Sequence, residues 1–157
     1  MLRLMGQAPD FVCLDSDILW CDAFAKPDDD YVQYRNLWLR VVKNIAQSGR
    51  PVALFGSSTP GQFERCVERR YIGDIHYLAL VCDDDEIERR LKARPGWRKG
   101  GDDDVVTRMK GFNRWLRENA AATGMTLLDT TGVEIDDTVS ATMRWMRDSI
   151  GVGAGKK

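Results

Sequence analysis

Hydrophobic residues along this chain fall alternately into short unbroken runs and into stripes of helical spacing. Phe11, Val12, Cys13 and Leu14 form the first run, the pattern of a strand buried on both faces. Between 31 and 48 the apolar positions are Tyr31, Tyr34, Leu37, Trp38, Val41, Val42 and Ile45, which share one side of a helix. Ser48, Gly49, Arg50 and Pro51 stop it. Residues 51–55 predict a second strand and 56–61 a turn, ahead of a helix carrying Phe63, Cys66 and Val67. The run 77–82 predicts the strongest strand. A helix over 84–93 follows, with Ile87 and Leu91 on one face, then a loop over 95–104 rich in glycine and charge. Residues 104–121 predict a helix packing Val105, Met109, Phe112 and Leu116, and 125–128 a fourth strand. The last helix, 136–150, repeats Val139, Met143, Met146 and Ile150. This alternation predicts an α/β fold with a mainly parallel sheet, one domain over 1–150 and a disordered tail over 151–157.

Composition narrows the function classes more than it adds to the fold. At 157 residues the chain has enough length to bury a proper core, and 43% apolar with 30% charged residues is ordinary for a globular protein. A formal net charge of −1 removes any general electrostatic case for nucleic acid or an anionic membrane. Cys13, Cys21, Cys66 and Cys82 are scattered, and the lone His76 completes no zinc pattern, so reduced thiols are expected. With no signal peptide and no run approaching a membrane span, the expected location is the cytoplasm.

Chemistry-bearing residues gather where the predicted strands end. Asp15, Ser16 and Asp17 follow the first strand, and in open α/β sheets ligands collect outside the carboxyl ends of strands. Carboxylates there suit magnesium or a base acting on a hydroxyl; the plainer alternative is that one of them caps the next helical turn. The turn 56–61 ends the second strand. Its spelling also fits a helix start, with Ser58 or Thr59 as cap and Pro60 in the first turn. Asp129, Thr130 and Thr131 end the fourth strand, either as ligand contacts or as ordinary turn residues.

Residues 76–98 read HYLALVCDDDEIERRLKARPGWR: an apolar strand, an acidic turn, a short helix, and a segment bearing Arg89, Arg90, Arg94 and Arg98. That succession resembles the strand, helix and lid of the P-loop small-molecule kinases, the nucleoside and nucleotide kinase type of AAA-like ATP-binding protein within the P-loop NTPase superfamily. The resemblance implies a three-layer α/β/α domain, ATP and magnesium as cofactors, and phosphoryl transfer to a small-molecule acceptor. In such a lid Arg94 and Arg98 close over the phosphates and stabilise the transferring charge, with Arg90 next, because guanidinium groups bind phosphate bidentately. Trp97 seals the closed lid. For Arg89 and Arg90 the plainer alternative is a solvated helix face paired to nearby acids. The resemblance further implies that Asp15 and Asp17 serve the acceptor hydroxyl or the metal, with Asp17 as magnesium ligand. Gly56 and Ser57 line the acceptor site, Asn113 and Arg114 face it, and Asp129 and Thr130 lie beside the base.

The same family needs a G-x-x-x-x-G-K-[ST] loop, because backbone N–H groups and a lysine must neutralise the phosphates. No such loop occurs in the sequence. The tail 151–157, GVGAGKK, imitates one, but Ile150 stands where the first glycine belongs and Lys157 replaces Ser or Thr. Resemblance covers about residues 11–148, which implies that the family's first strand, phosphate loop and first helix are missing and that the first few residues supply at most a short strand or part of that helix. Loss of the central strand predicts either strands that close up or two half-sheets with exposed edges and self-association through them. Three explanations stay open: a truncated or misassigned start, a degenerate binding module, or a loop supplied by a second chain. The expectation is a kinase-like ATP-binding protein with little or no activity alone; the alternative is a non-catalytic ligand-binding or interaction domain derived from such a kinase.

Overall fold

A computed structural model describes residues 2–21, 23–96 and 101–153. The side chains of Leu2, Met5, Val152 and Gly153 lie outside the description. The chain divides into two compact units, Met1–Ile75 with Val139–Lys157, and His76–Thr138. Helices dominate, and the strands are short and parallel. The described strands form two separate two-stranded sheets rather than one continuous sheet.

In the first unit, α1 (Leu2–Gln7) precedes β1 (Val12–Asp15), so the opening residues form a helix. Leu4 and Ala8, four residues apart, bury the same face. β1 pairs in parallel with β2 (Val52–Phe55), Val12 opposite Val52 through Asp15 opposite Phe55. A parallel pair needs a crossover, supplied by α2 (Val32–Ala46). Of the expected apolar stripe Tyr34 and Trp38 are buried and Tyr31, Leu37, Val41, Val42 and Ile45 half-buried, and Leu39, outside that stripe, is buried as well. The core collects Leu4, Ala8, Phe11 and Cys13 with Val139, Met143 and Met146 from α6 (Ile135–Gly153). That helix runs past the glycine expected to end it, which lowers helix stability without forbidding it; residues 154–157 of the expected tail lie outside the described residues. α3 (Pro60–Glu64) starts as its spelling predicts, with the Thr59 N–H donating to Gln62 Oε1 at 3.0 Å. It ends before Val67, which is exposed at the start of a 3-10 turn.

In the second unit, β3 (Leu78–Val81) pairs in parallel with β4 (Thr126–Asp129), Leu78 opposite Thr126 through Val81 opposite Asp129. The crossover is α4 (Asp84–Lys92) followed by α5 (Asp103–Thr123). Asp83 caps α4 by accepting the Glu86 N–H at 2.7 Å. Leu116 and Ala120 of α5 pack with Ala79, Val81 and Met125, while Ile87, Leu91 and Val106 join Cys82 between α4 and α5. This strand is buried on one face only. Ala79 and Val81 are 7% and 2% exposed, but Leu80 between them is 49% exposed.

Candidate functional site

Parallel pairing delivers the carboxyl ends of two strands to one edge, and each unit has such an edge. In the second unit, Cys82 and Asp83 leave β3 beside the turn 129–131 that leaves β4. The two turns are cross-bonded. Thr130 N–H and Oγ1 both donate to the Val81 carbonyl, at 2.7 and 3.0 Å, and the Asp83 N–H donates to Thr131 Oγ1 at 2.9 Å. From α4, Arg90 donates to Thr130 Oγ1 at 2.9 Å, to the Thr130 carbonyl at 2.7 Å and to Glu86 at 2.6 Å. From α5, Asn113 donates to the Cys82 carbonyl at 2.9 Å and accepts the Cys82 N–H at 3.2 Å, extending the sheet's hydrogen bonding by one side chain.

This frame borders an open groove of about 440 Å³ at the strand ends. Arg114 and Arg117 line it from α5, and Asp83, Asp84, Asp129 and Thr131 from the turns. Arg117 donates to Asp129 at 2.9 Å, and Arg114 reaches Asp84 at 3.4 Å. Hydrogen bonds from Thr131, with Arg117 behind them, pull the Asp129 carboxyl down to about 2. Three carboxylates thus face two guanidinium groups. The groove has no excess positive charge for a bare phosphate, and an anion entering it competes with carboxylates already in place. Its donors and acceptors suit a neutral polar ring or a polyol better.

The expected residues therefore meet here with different occupations. Arg90, Asn113, Arg114, Asp129 and Thr130 lie at the same strand edge. Thr130 is buried and Asn113 is 8% exposed with both amide atoms bonded to Cys82, so the two act as framework. Arg90 likewise directs its donors to Thr130 and Glu86. Arg94 is exposed just past α4; Arg98, with Trp97, lies outside the described residues. Arg117 was missed. It was recoverable, since it stands four residues after Asn113 on the helix face that meets the strand ends.

In the first unit, Asp15 ends β1, and its Oδ1 accepts the Asp17 N–H at 3.0 Å, holding the 3-10 turn Ser16–Leu19. This is the capping role; Asp17 itself points to solvent. Gly56 follows β2 at close approach to Ser16: a Cβ there would meet the Ser16 hydroxyl and sit 2.9 Å from Ser16 Cβ. The buried Ser16 carbonyl accepts from the Tyr34 hydroxyl and from Trp38 Nε1 at 3.1 Å. Ser57 is exposed, and Ser58 Oγ accepts from Arg35 Nε at 3.2 Å. Arg35 was missed although its signal is visible. Positions 31, 35, 38 and 42 lie on one helix face, so an arginine stands inside the apolar stripe.

Among the described residues no group of three or more His, Cys, Asp or Glu side chains is placed to hold a metal ion. Asp15 and Asp17 therefore do not form a site that holds an ion by protein ligands alone. No helix among the described residues is long and apolar enough to cross a membrane. No family model, curated protein or solved structure matches this chain.

Proposed function

We propose that this chain is a small-molecule kinase-like, nucleotide-binding protein of the nucleoside and nucleotide kinase type, working in the cytoplasm. Its parental reaction moves the γ-phosphoryl of ATP to a hydroxyl or phosphate acceptor with magnesium, within a three-layer P-loop-kinase-like fold. The observation that best supports this is the groove at the carboxyl ends of β3 and β4, whose mixed donors and acceptors beside Asp129 and Thr131 suit a neutral polar ring such as a nucleobase. Parallel α/β sheets hold their ligands at such edges. In this proposal Asp15 serves the acceptor hydroxyl and Asp17 the nucleotide's magnesium. Gly56 and Ser57 border the acceptor, and Arg94 and Arg98 meet the phosphates.

The 157 residues alone turn over little or no ATP in this proposal. The sequence holds no loop of backbone N–H groups with its lysine, and the arginines of the groove already face carboxylates. A coupled ATPase assay on the purified chain, with a panel of nucleosides and nucleoside monophosphates, is expected to stay at background. Turnover above background that Arg94→Ala abolishes would refute this.

A second reading, a non-catalytic binding or interaction domain, is favoured by the exposed Leu80 and Leu127 on a sheet of only two strands. Its signature is ATP-independent ligand binding lost in Asp15→Ala, or concentration-dependent self-association in sedimentation velocity.

A further inference from the structure

We propose that Arg35 is the anion-recognising residue of a site at the carboxyl ends of β1 and β2, one that takes a small oxyanion: a phosphate monoester or a carboxylate. Calling that oxyanion part of the acceptor rests on the kinase reading; the contact itself stands on the geometry of the first unit.

Arg35 is 5% exposed, and a buried guanidinium is costly unless paired. Its bonds go to two neutral acceptors, Ser58 Oγ at 3.2 Å and the Asp30 carbonyl. Among the described residues no carboxylate lies within ion-pair distance of it. The Asp30 carboxylate pairs with Arg65, and the Asp29 carboxylate accepts the Val32 and Gln33 N–H groups at 3.1 and 3.2 Å. The Asp30 carboxylate thus faces two guanidinium groups, pairing with Arg65 and attracting Arg35 without bonding to it. Burial pulls the Arg35 pKa below its ordinary value, yet a guanidinium stays protonated in proteins.

That charge is placed where a ligand of a parallel sheet belongs. Through Ser58 it touches the turn leaving β2, beside the exposed Gly56 and Ser57. Its other partner, Asp30, is followed by Tyr31, and both hold left-handed backbone at φ 50° and 57°, rare for residues with side chains. Strain of this kind collects at ligand clamps. Trp20, 54% exposed, packs on Tyr31 at 5.1 Å and edge-on to Tyr34 at 5.3 Å, giving an aromatic surface for the organic body of the ligand.

The test titrates ¹⁵N-labelled full-length chain with inorganic phosphate in one arm and acetate in the other, at constant ionic strength with chloride. The Arg35 Nε–H resonance is expected to shift saturably, with phosphate alone if the ligand is a phosphate ester and with acetate alone if it is a carboxylate. Calorimetry of Arg35→Lys, which loses the fork, is expected to show binding roughly tenfold to a hundredfold weaker. No saturable shift in either arm overturns the proposal, as does unchanged affinity in Arg35→Lys. If that variant does not fold, the wild-type resonance decides alone. The ATPase assay of the wild-type chain reads turnover and not anion binding at Arg35, so the two proposals fail separately.

Discussion

Replacing Asn113 with alanine removes the clamp between α5 and the end of β3. The wild-type amide gives two bonds to Cys82, 2.9 Å to the carbonyl and 3.2 Å from the N–H, in a setting where Asn113 is 8% and Cys82 6% exposed. Each bond contributes about 1 kcal/mol net, and each buried group left without a partner costs about 1–3 kcal/mol. Alanine returns about 0.5 kcal/mol through better helix propensity. The expected net loss is about 2–4 kcal/mol, a large share of the about 5–15 kcal/mol that holds a domain together. Urea denaturation followed by circular dichroism measures it, and hydrogen exchange at the Cys82 amide reports the local opening. Two controls separate the causes. Asn113→Leu fills the same space without restoring the bonds, so it stays destabilised if hydrogen bonding is the cause and recovers if volume is. Asn119→Ala removes only a donor to the Trp115 carbonyl one helical turn back and is expected to change stability by less than about 0.5 kcal/mol. A loss under about 0.5 kcal/mol in Asn113→Ala, with no faster exchange at Cys82, would refute the framework role.

Gly56→Ala places a methyl against Ser16, 2.9 Å from its Cβ, and is expected to cost about 1–3 kcal/mol in thermal unfolding; Ser16→Gly in the same chain relieves the clash and recovers most of it. Glu86, bonded first to Arg89 and then to Arg90, is held at about 2, well below the ordinary carboxyl value of roughly 4.3. A depressed folded pKa means stabilisation present above that ordinary value and lost as pH falls from about 4 through about 2. Carbon-detected NMR titration is expected to find Glu86 at about 2, and Arg90→Met to move it upward; an unmoved value would remove Arg90 from the cause.

Local features were legible because they depend on neighbours in the chain. The stripe 31–48 gave α2, the Gly-Ser-Pro turn gave the start of α3, and the spacing of Ile87 and Leu91 gave α4. The convergence of Asn113, Arg114 and Asp129 at one edge also followed once the strands were parallel. What each side chain does there did not follow. Sequence spacing shows which face a residue occupies, but a hydrogen-bond partner is chosen by distance in space. Asn113 meets Cys82 across 31 residues and Arg90 meets Thr130 across 40.

By itself the sequence determined the order of strands and helices, the turn chemistry and the absence of a phosphate loop from these residues, all set by local backbone preference and residue type. Tertiary structure alone decided three further things. The strands pair as two separate sheets, three of the expected ligand residues (Asn113, Thr130 and Arg90) are consumed as framework, and Arg35, hidden in an apolar stripe, has no carboxylate within ion-pair distance among the described residues. Burial and pairing arise from packing over distances that no local pattern encodes. The physical reason is that a polar group's energy depends on what surrounds it after folding.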